Sequence, residues 1–141
     1  MIISTKEINM ESVNNIFAKG DKLPPEYFTG DAFLKVLVNR DKNNEFVVGN
    51  ITFEPGARTN WHTHPKGQIL IVTEGHEFYQ EKGGTVQIIQ TGDVINIPEN
   101  IEHWHGASPN EKLGHIAITN FKENVNVVWL HPVTDEQYKN I

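Results

Sequence analysis

Five of the seven histidines, at positions 62, 64, 103, 105 and 115, fall where the chain reads as short strands and tight turns. Imidazole serves as a metal ligand and as an acid–base group near neutral pH. His62 and His64 have the same parity, so on an extended strand both point to one face. If that register continues past the Pro65–Gly67 turn, Gln68 points with them, together with Leu70 and Val72. Inside a closed barrel this face is the interior, where polar groups among apolar neighbours are costly unless something satisfies them. A divalent cation does so, with two imidazole nitrogens and one amide oxygen, completed by His103. A lone His-x-His on a strand is weak evidence, because such pairs also occur on exposed faces that hold no ion.

The remaining histidines divide by context. His105 shares parity with His103, but the chain bends there. It is read as orienting a ligand or lining the pocket mouth. His115 lies on the alternating run Leu113–Asn120, and its face also carries Ala117 and Thr119, small and polar residues suited to a pocket wall. It is either a hydrogen-bonded structural histidine or an acid–base group beside the metal. His76 and His131 read as surface residues. Arg58 fits structural pairing as well as substrate binding, and Trp61 and Trp104 read as packing residues.

The elements that must position these groups are strands. Phe33–Val38, Glu45–Phe53, Gln68–Thr73, His76–Gln80, Thr85–Ile89, Val94–Ile97, His103–Ala107, Leu113–Asn120 and Val125–Leu130 are apolar, often alternating runs. Turn residues separate them: Asp41–Asn44, Pro55-Gly56, Glu74-Gly75, Gly83-Gly84 and Gly92-Asp93. Short strands at this spacing predict a β-sandwich or barrel. Residues 1–32 read as an irregular lead-in, with a short helical or extended piece at Ser12–Ala18. Thr134 and Gln137 have the spacing of a capping box, which predicts a helical turn or two at the end.

The length of 141 residues suits one domain over 1–141, with a barrel core over about 33–130. No cysteine is present, which excludes thiolate ligands and disulfides and is consistent with a reducing cytoplasm. The net charge of −6 and scattered basic residues argue against a nucleic-acid partner. The longest apolar runs are too short to span a bilayer, and the N-terminus lacks signal-peptide character. The expectation is a cytoplasmic protein acting on a small molecule.

Two spaced motifs strengthen the metal reading. Gly56, five residues, His62-Thr63-His64, three residues, Gln68, six residues and Gly75 form one. Gly92, five residues, Pro98 and then His103 form the other. Together they resemble the two motifs of the cupin superfamily, which implies an all-β double-stranded β-helix, a jelly-roll-like barrel holding a metal. The sequence departs from the general pattern at Gln68, where glutamate is usual, at Asn100, where glycine is usual, and at Ala107, where asparagine is frequent. A neutral Gln68 leaves both charges of a divalent ion uncompensated. That favours Lewis-acid behaviour and disfavours a trivalent state and oxygen chemistry.

A closer resemblance covers most of the chain from about Phe28. It is carried by Phe28-Thr29-Gly30, Phe53–Thr59, Trp61–Pro65, Gly67-Gln68, Ile71–Thr73, His103–Ala107 and Val133–Tyr138. These stretches are similar to small bacterial single-domain cupins that include manganese hydroxynitrile lyases. The resemblance implies one divalent metal per chain, manganese first and iron, zinc or nickel next, on His62, His64, Gln68 and His103. It implies proton transfer by His115 and pocket positions at Gly49, Ile51 and Thr119. The expected function is a metal-dependent lyase, with a cupin dioxygenase or a non-catalytic ligand-binding cupin as alternatives. A homodimer or larger assembly is expected, with outward residues such as Ile116 and Ile118 supplying an interface.

Overall fold

A computed structural model of the chain describes residues 16–139. Thirteen strands and one helix are present among them: β1 (Asp21–Lys22), β2 (Phe28–Thr29), β3 (Ala32–Val38), β4 (Phe46–Phe53), β5 (Arg58–Thr59), β6 (His62–Thr63), β7 (Gln68–Glu74), β8 (His76–Glu81), β9 (Gln87–Gln90), β10 (Val94–Ile97), β11 (His103–Ala107), β12 (Leu113–Asn120), β13 (Val128–Trp129) and α1 (Asp135–Lys139). One sheet has the order β1-β3-β4-β12-β7-β10. The other has the order β13-β6-β11-β5-β2, with β8 on β11 and β9 on β8. Every pairing is antiparallel.

Alternation decides which side chains the sheets bury. Along β7, Gln68, Leu70 and Val72 are buried while Ile69 and Ile71 are half-exposed. Along β12, His115, Ala117 and Thr119 are buried while Ile116 and Ile118 are half-exposed. Pairing places Ile116 opposite Ile71 and Ile118 opposite Ile69 on the outer face. The inner faces meet in apolar clusters. Phe28, Ala32, Phe53, Val72, Ala107 and Leu113 draw on both sheets. Leu70, Tyr79, Ile97 and Ala117 form another cluster at the other end of β7. Burial at about 25 cal/mol per Å² of apolar surface is the main force holding such layers together.

Strand β11 is fully buried and is clasped by β5 and β6 on one edge and β8 on the other. Its Gly106 is required: a Cβ there would lie 2.6 Å from the Ala57 carbonyl oxygen. The helix packs on the face of β8 and β11 opposite to that of Glu77 and His105. Thr134 Oγ1 accepts from the Gln137 amide and Gln137 Oε1 accepts from the Thr134 amide, the reciprocal pair of a capping box. Tyr138 packs beside Trp104 and Phe78, and its hydroxyl donates to the Ala107 carbonyl.

Three expectations change in detail. The six-residue strand over Val125–Leu130 contracts to the two residues of β13. Val125, the first residue of that run, instead closes a turn with Lys122, and Asn126 lies in a bend. Within the lead-in, β1 and β2 add two-residue strands to opposite sheets. The strand after the Gly83-Gly84 turn begins at Gln87 rather than Thr85. Most of the Ser12–Ala18 piece lies outside the described residues. No helix among the described residues is long and apolar enough to cross a membrane.

Candidate metal centre

His62 ends up beside His103 because β6 pairs with β11 with these two residues directly opposite. His64 follows one pleat later, and the chain then reverses through Pro65–Gly67. The Gly67 amide donates to the His64 carbonyl, and Gly67 adopts φ 80°, where a side chain is strained and a Cβ would strike the Ile97 carbonyl. This turn brings Gln68, the first residue of β7, back to the same cavity wall. The imidazoles of His62, His64 and His103 each offer a ring nitrogen within 4.8 Å of the others, and all three rings are buried.

The hydrogen bonds fix which nitrogen faces inward. His62 Nδ1 lies 2.9 Å from the Asn60 carbonyl, His64 Nδ1 2.7 Å from the Asn126 carbonyl, and His103 Nδ1 2.8 Å from the Ile101 carbonyl. A carbonyl only accepts, so each Nδ1 carries the proton and each Nε2 keeps a lone pair. The Nε2 atoms of His64 and His103 are buried with no protein partner. Gln68 follows the same logic. Its Nε2 donates to Thr119 Oγ1 at 2.8 Å, and its Oε1 is buried without a partner. Ring nitrogens of His62, His64 and His103 thus gather at one place, and the unpartnered Gln68 oxygen belongs to the same cavity wall, a donor set that fits a divalent cation.

Burial, reinforced by the neighbouring His103 and His64, holds His62 well below the usual imidazole range. Burial likewise lowers His64, and brings His103 down to about 4. Neutral rings are the form that ligates metal.

A cavity of about 280 Å³ opens against this cluster. His62, His64, Gln68 and His105 form its polar end, and Gly49, Ile51, Thr119, Phe53 and Trp129 are among its other lining residues. A Cβ on Gly49 would fall 2.7 Å from Leu34 Cδ1, so glycine there keeps this wall clear. The structure therefore brings His62, His64, Gln68, His103, His105, Gly49, Ile51 and Thr119 to one region.

His115 is placed differently. It is fully buried and does not line the cavity; its ring lies behind His105, with ring centroids 5.3 Å apart. Its Nδ1 sits 3.0 Å from Oε1 of Glu77, whose Oε2 lies 3.4 Å from His105 Nδ1. Glu77, on β8, is 0% exposed. Sequence reading passed over it, although Glu77, Tyr79 and Glu81 share a parity and β8 is a strand. His76 pairs with Glu111 and is half-buried, while His131 is exposed. Arg58 is buried and structural: it donates to the Val133 carbonyl and to Asp135, and stacks on Tyr138.

Comparison with known proteins agrees with this geometry. Residues 49–118 match the model of the Cupin_2 family, described as a cupin domain. The chain is 43% identical over 118 residues to an (R)-mandelonitrile lyase of Granulicella tundricola, covering 84% of this chain and 90% of that protein. A cupin-like protein of Thermotoga maritima superposes with a TM-score of 0.84 at 48% identity, over 89% of this chain and 96% of that one. A cupin-2 domain protein of Rhodospirillum rubrum, at 17% identity and a TM-score of 0.64 over 86% of this chain and 77% of its own, shares the fold. With the barrel, the two motifs and a relative matched along most of its length, the chain belongs to the cupin family.

Proposed function

We propose that this chain is a metal-dependent lyase of the hydroxynitrile lyase kind, holding one manganese ion on His62, His64, Gln68 and His103. The observation that carries this reading is the orientation of Gln68. Thr119 takes its amide N–H, which leaves the buried oxygen free to join the three imidazoles in an all-neutral donor set. Bound there, a divalent ion supplies a cation with no anionic ligand, suited to stabilising a developing anion. The likeness to a mandelonitrile lyase supports cyanohydrins as the substrate class.

The chain's own groups supply the rest. Ile51, Phe53, Ala117 and Trp129 give an apolar wall for the organic part of a cyanohydrin and exclude water. An imidazole accepts the hydroxyl proton, the carbon–nitrile bond breaks with its electron pair leaving on cyanide, and the carbonyl forms. The same imidazole returns the proton to give hydrogen cyanide. His115 is the proposed proton carrier, exchanging the proton with the substrate by way of His105, the member of this pair that lines the cavity. The half-exposed isoleucines 69, 71, 116 and 118 are the proposed homodimer face, and the protein is proposed to be cytoplasmic.

The test is cleavage of aromatic and aliphatic cyanohydrins by manganese-loaded and chelator-stripped protein. Activity that depends on the ion is expected. Protein loaded with one equivalent of manganese and inactive across both substrate sets overturns the proposal. One observation favours a second reading, a ligand-binding cupin without turnover: His115 does not itself line the cavity. Tight binding of one class of metabolite by loaded, inactive protein would establish it.

A further inference from the structure

Glu77, His105 and His115 form a second cluster, apart from the four proposed ligands. Each offers a ligand atom within 4.8 Å of the others, and all three are buried, at 0%, 4% and 0% exposure. The four proposed ligands have their non-ligating atoms fixed by carbonyls or a hydroxyl. His105 has no such partner: neither ring nitrogen makes a hydrogen bond, and its Nδ1 lies 3.4 Å from Glu77 Oε2. Glu77 Oε2 and His115 Nε2 are also buried without a hydrogen-bond partner. A carboxylate enclosed this completely costs several kcal/mol unless its charge is met. A single 3.0 Å contact to His115 Nδ1 meets it only in part.

We propose that Glu77, His105 and His115 form a second divalent-metal site, beside the His62–His64–Gln68–His103 centre. Two imidazoles with one carboxylate are a recognised zinc donor set, and donors around a tetrahedral ion bound at about 2.0 Å lie about 3.3 Å apart. The contacts from Glu77 to the two Nδ1 atoms, 3.0 and 3.4 Å, span that separation. The Glu77 carboxylate makes this site partly charge-compensated, whereas the first has only neutral ligands. It therefore suits a cation held for charge balance and packing. Entry is from the cavity, which His105 lines. An ion here takes the lone pairs of both imidazoles, so a second equivalent depresses turnover where the first supports it. That consequence rests on the lyase reading above; the binding itself does not.

The experiment titrates metal-stripped, full-length protein with cobalt(II) against a competing chelator, and counts ions per chain by elemental analysis after equilibrium dialysis. Wild type is expected to hold two equivalents. His64→Leu is expected to hold one, and Glu77→Leu one. Leucine is chosen over glutamine because an amide oxygen can still ligate. One equivalent in wild type, or two in Glu77→Leu, overturns the proposal, and would mean that the cluster is a hydrogen-bonded trio. Should Glu77→Leu fail to fold by circular dichroism, His115→Phe is read in the same way. The wild-type count stands in either case and requires no cyanohydrin activity.

Discussion

At the scale of single residues, the Gln68–Thr119 pair is where the proposed neutral-ligand metal centre is tested. Thr119→Val removes the acceptor that orients the amide. Loss of such a supporting partner typically costs 10–100-fold in metal affinity, and a loss in that range is expected for manganese by competition titration. An unchanged dissociation constant would show that Gln68 Oε1 is not a ligand. Gln68→Glu is expected to bind manganese more tightly, since it adds a charge to a neutral shell. The convergence of most of the proposed ligands was legible because strand parity is strict: His62, His64 and Gln68 are separated by even numbers of residues, and the intervening turn preserves the register. Glu77 was not legible. Alternation assigned it to one face of β8, but nothing local distinguishes the inward face of His76–Glu81 from the outward one. Only the pairing of β8 with β11, which places Tyr79 opposite His105, reveals it.

At the scale of elements, α1 is a fastener for β11. Thr134→Ala removes the side-chain half of the capping box and is expected to cost about 1 kcal/mol, read from the shift in urea midpoint. Arg58→Ala is expected to cost more, because it strips a buried side chain of its bonds to the Val133 carbonyl and Asp135 and of its stacking on Tyr138. Strands with regular alternation, such as β7 and β12, or bounded by strong turn residues, such as β4, were read nearly to the residue. The two-residue strands β1, β2 and β13 were not, since a strand that short has no periodicity to detect. What holds them is pairing with a partner far along the chain, such as β13 on β6.

At the scale of the whole molecule, a cluster of buried neutral imidazoles makes the metal-free protein acid-sensitive. His62, His64, His103 and His105 are all held below the usual value of 6.5 by burial, His103 at about 4. Above pH 6.5 these rings are neutral in both folded and unfolded chains, and their contribution to stability is fully present. Below it the unfolded chain takes up protons that the folded one refuses, at about 1.4 kcal/mol per pH unit for each excess proton. The urea midpoint of stripped protein is therefore expected to fall steadily from pH 7 toward pH 4. A flat profile over that range would contradict the assignment. The isoleucine face makes its own prediction: Ile71→Lys sets a charge among four paired isoleucines, and is expected to convert the proposed dimer to monomers by light scattering after gel filtration, with wild type that is already monomeric ruling the interface out.

The carbonyl that fixes His64 belongs to Asn126, in the turn-rich stretch between β12 and β13, which also lends Asn126 and Val127 to the cavity wall. This single bond makes the stretch a gauge of the metal. A metal held by His64 is expected to immobilise that ring and steady the backbone at Asn126 with it, and its removal to release both. Amide hydrogen exchange and protease nicking around residues 122–127 should then report loading from a surface segment in which no proposed ligand lies. A ligand's grip on one imidazole would thereby be readable at the protein's exterior.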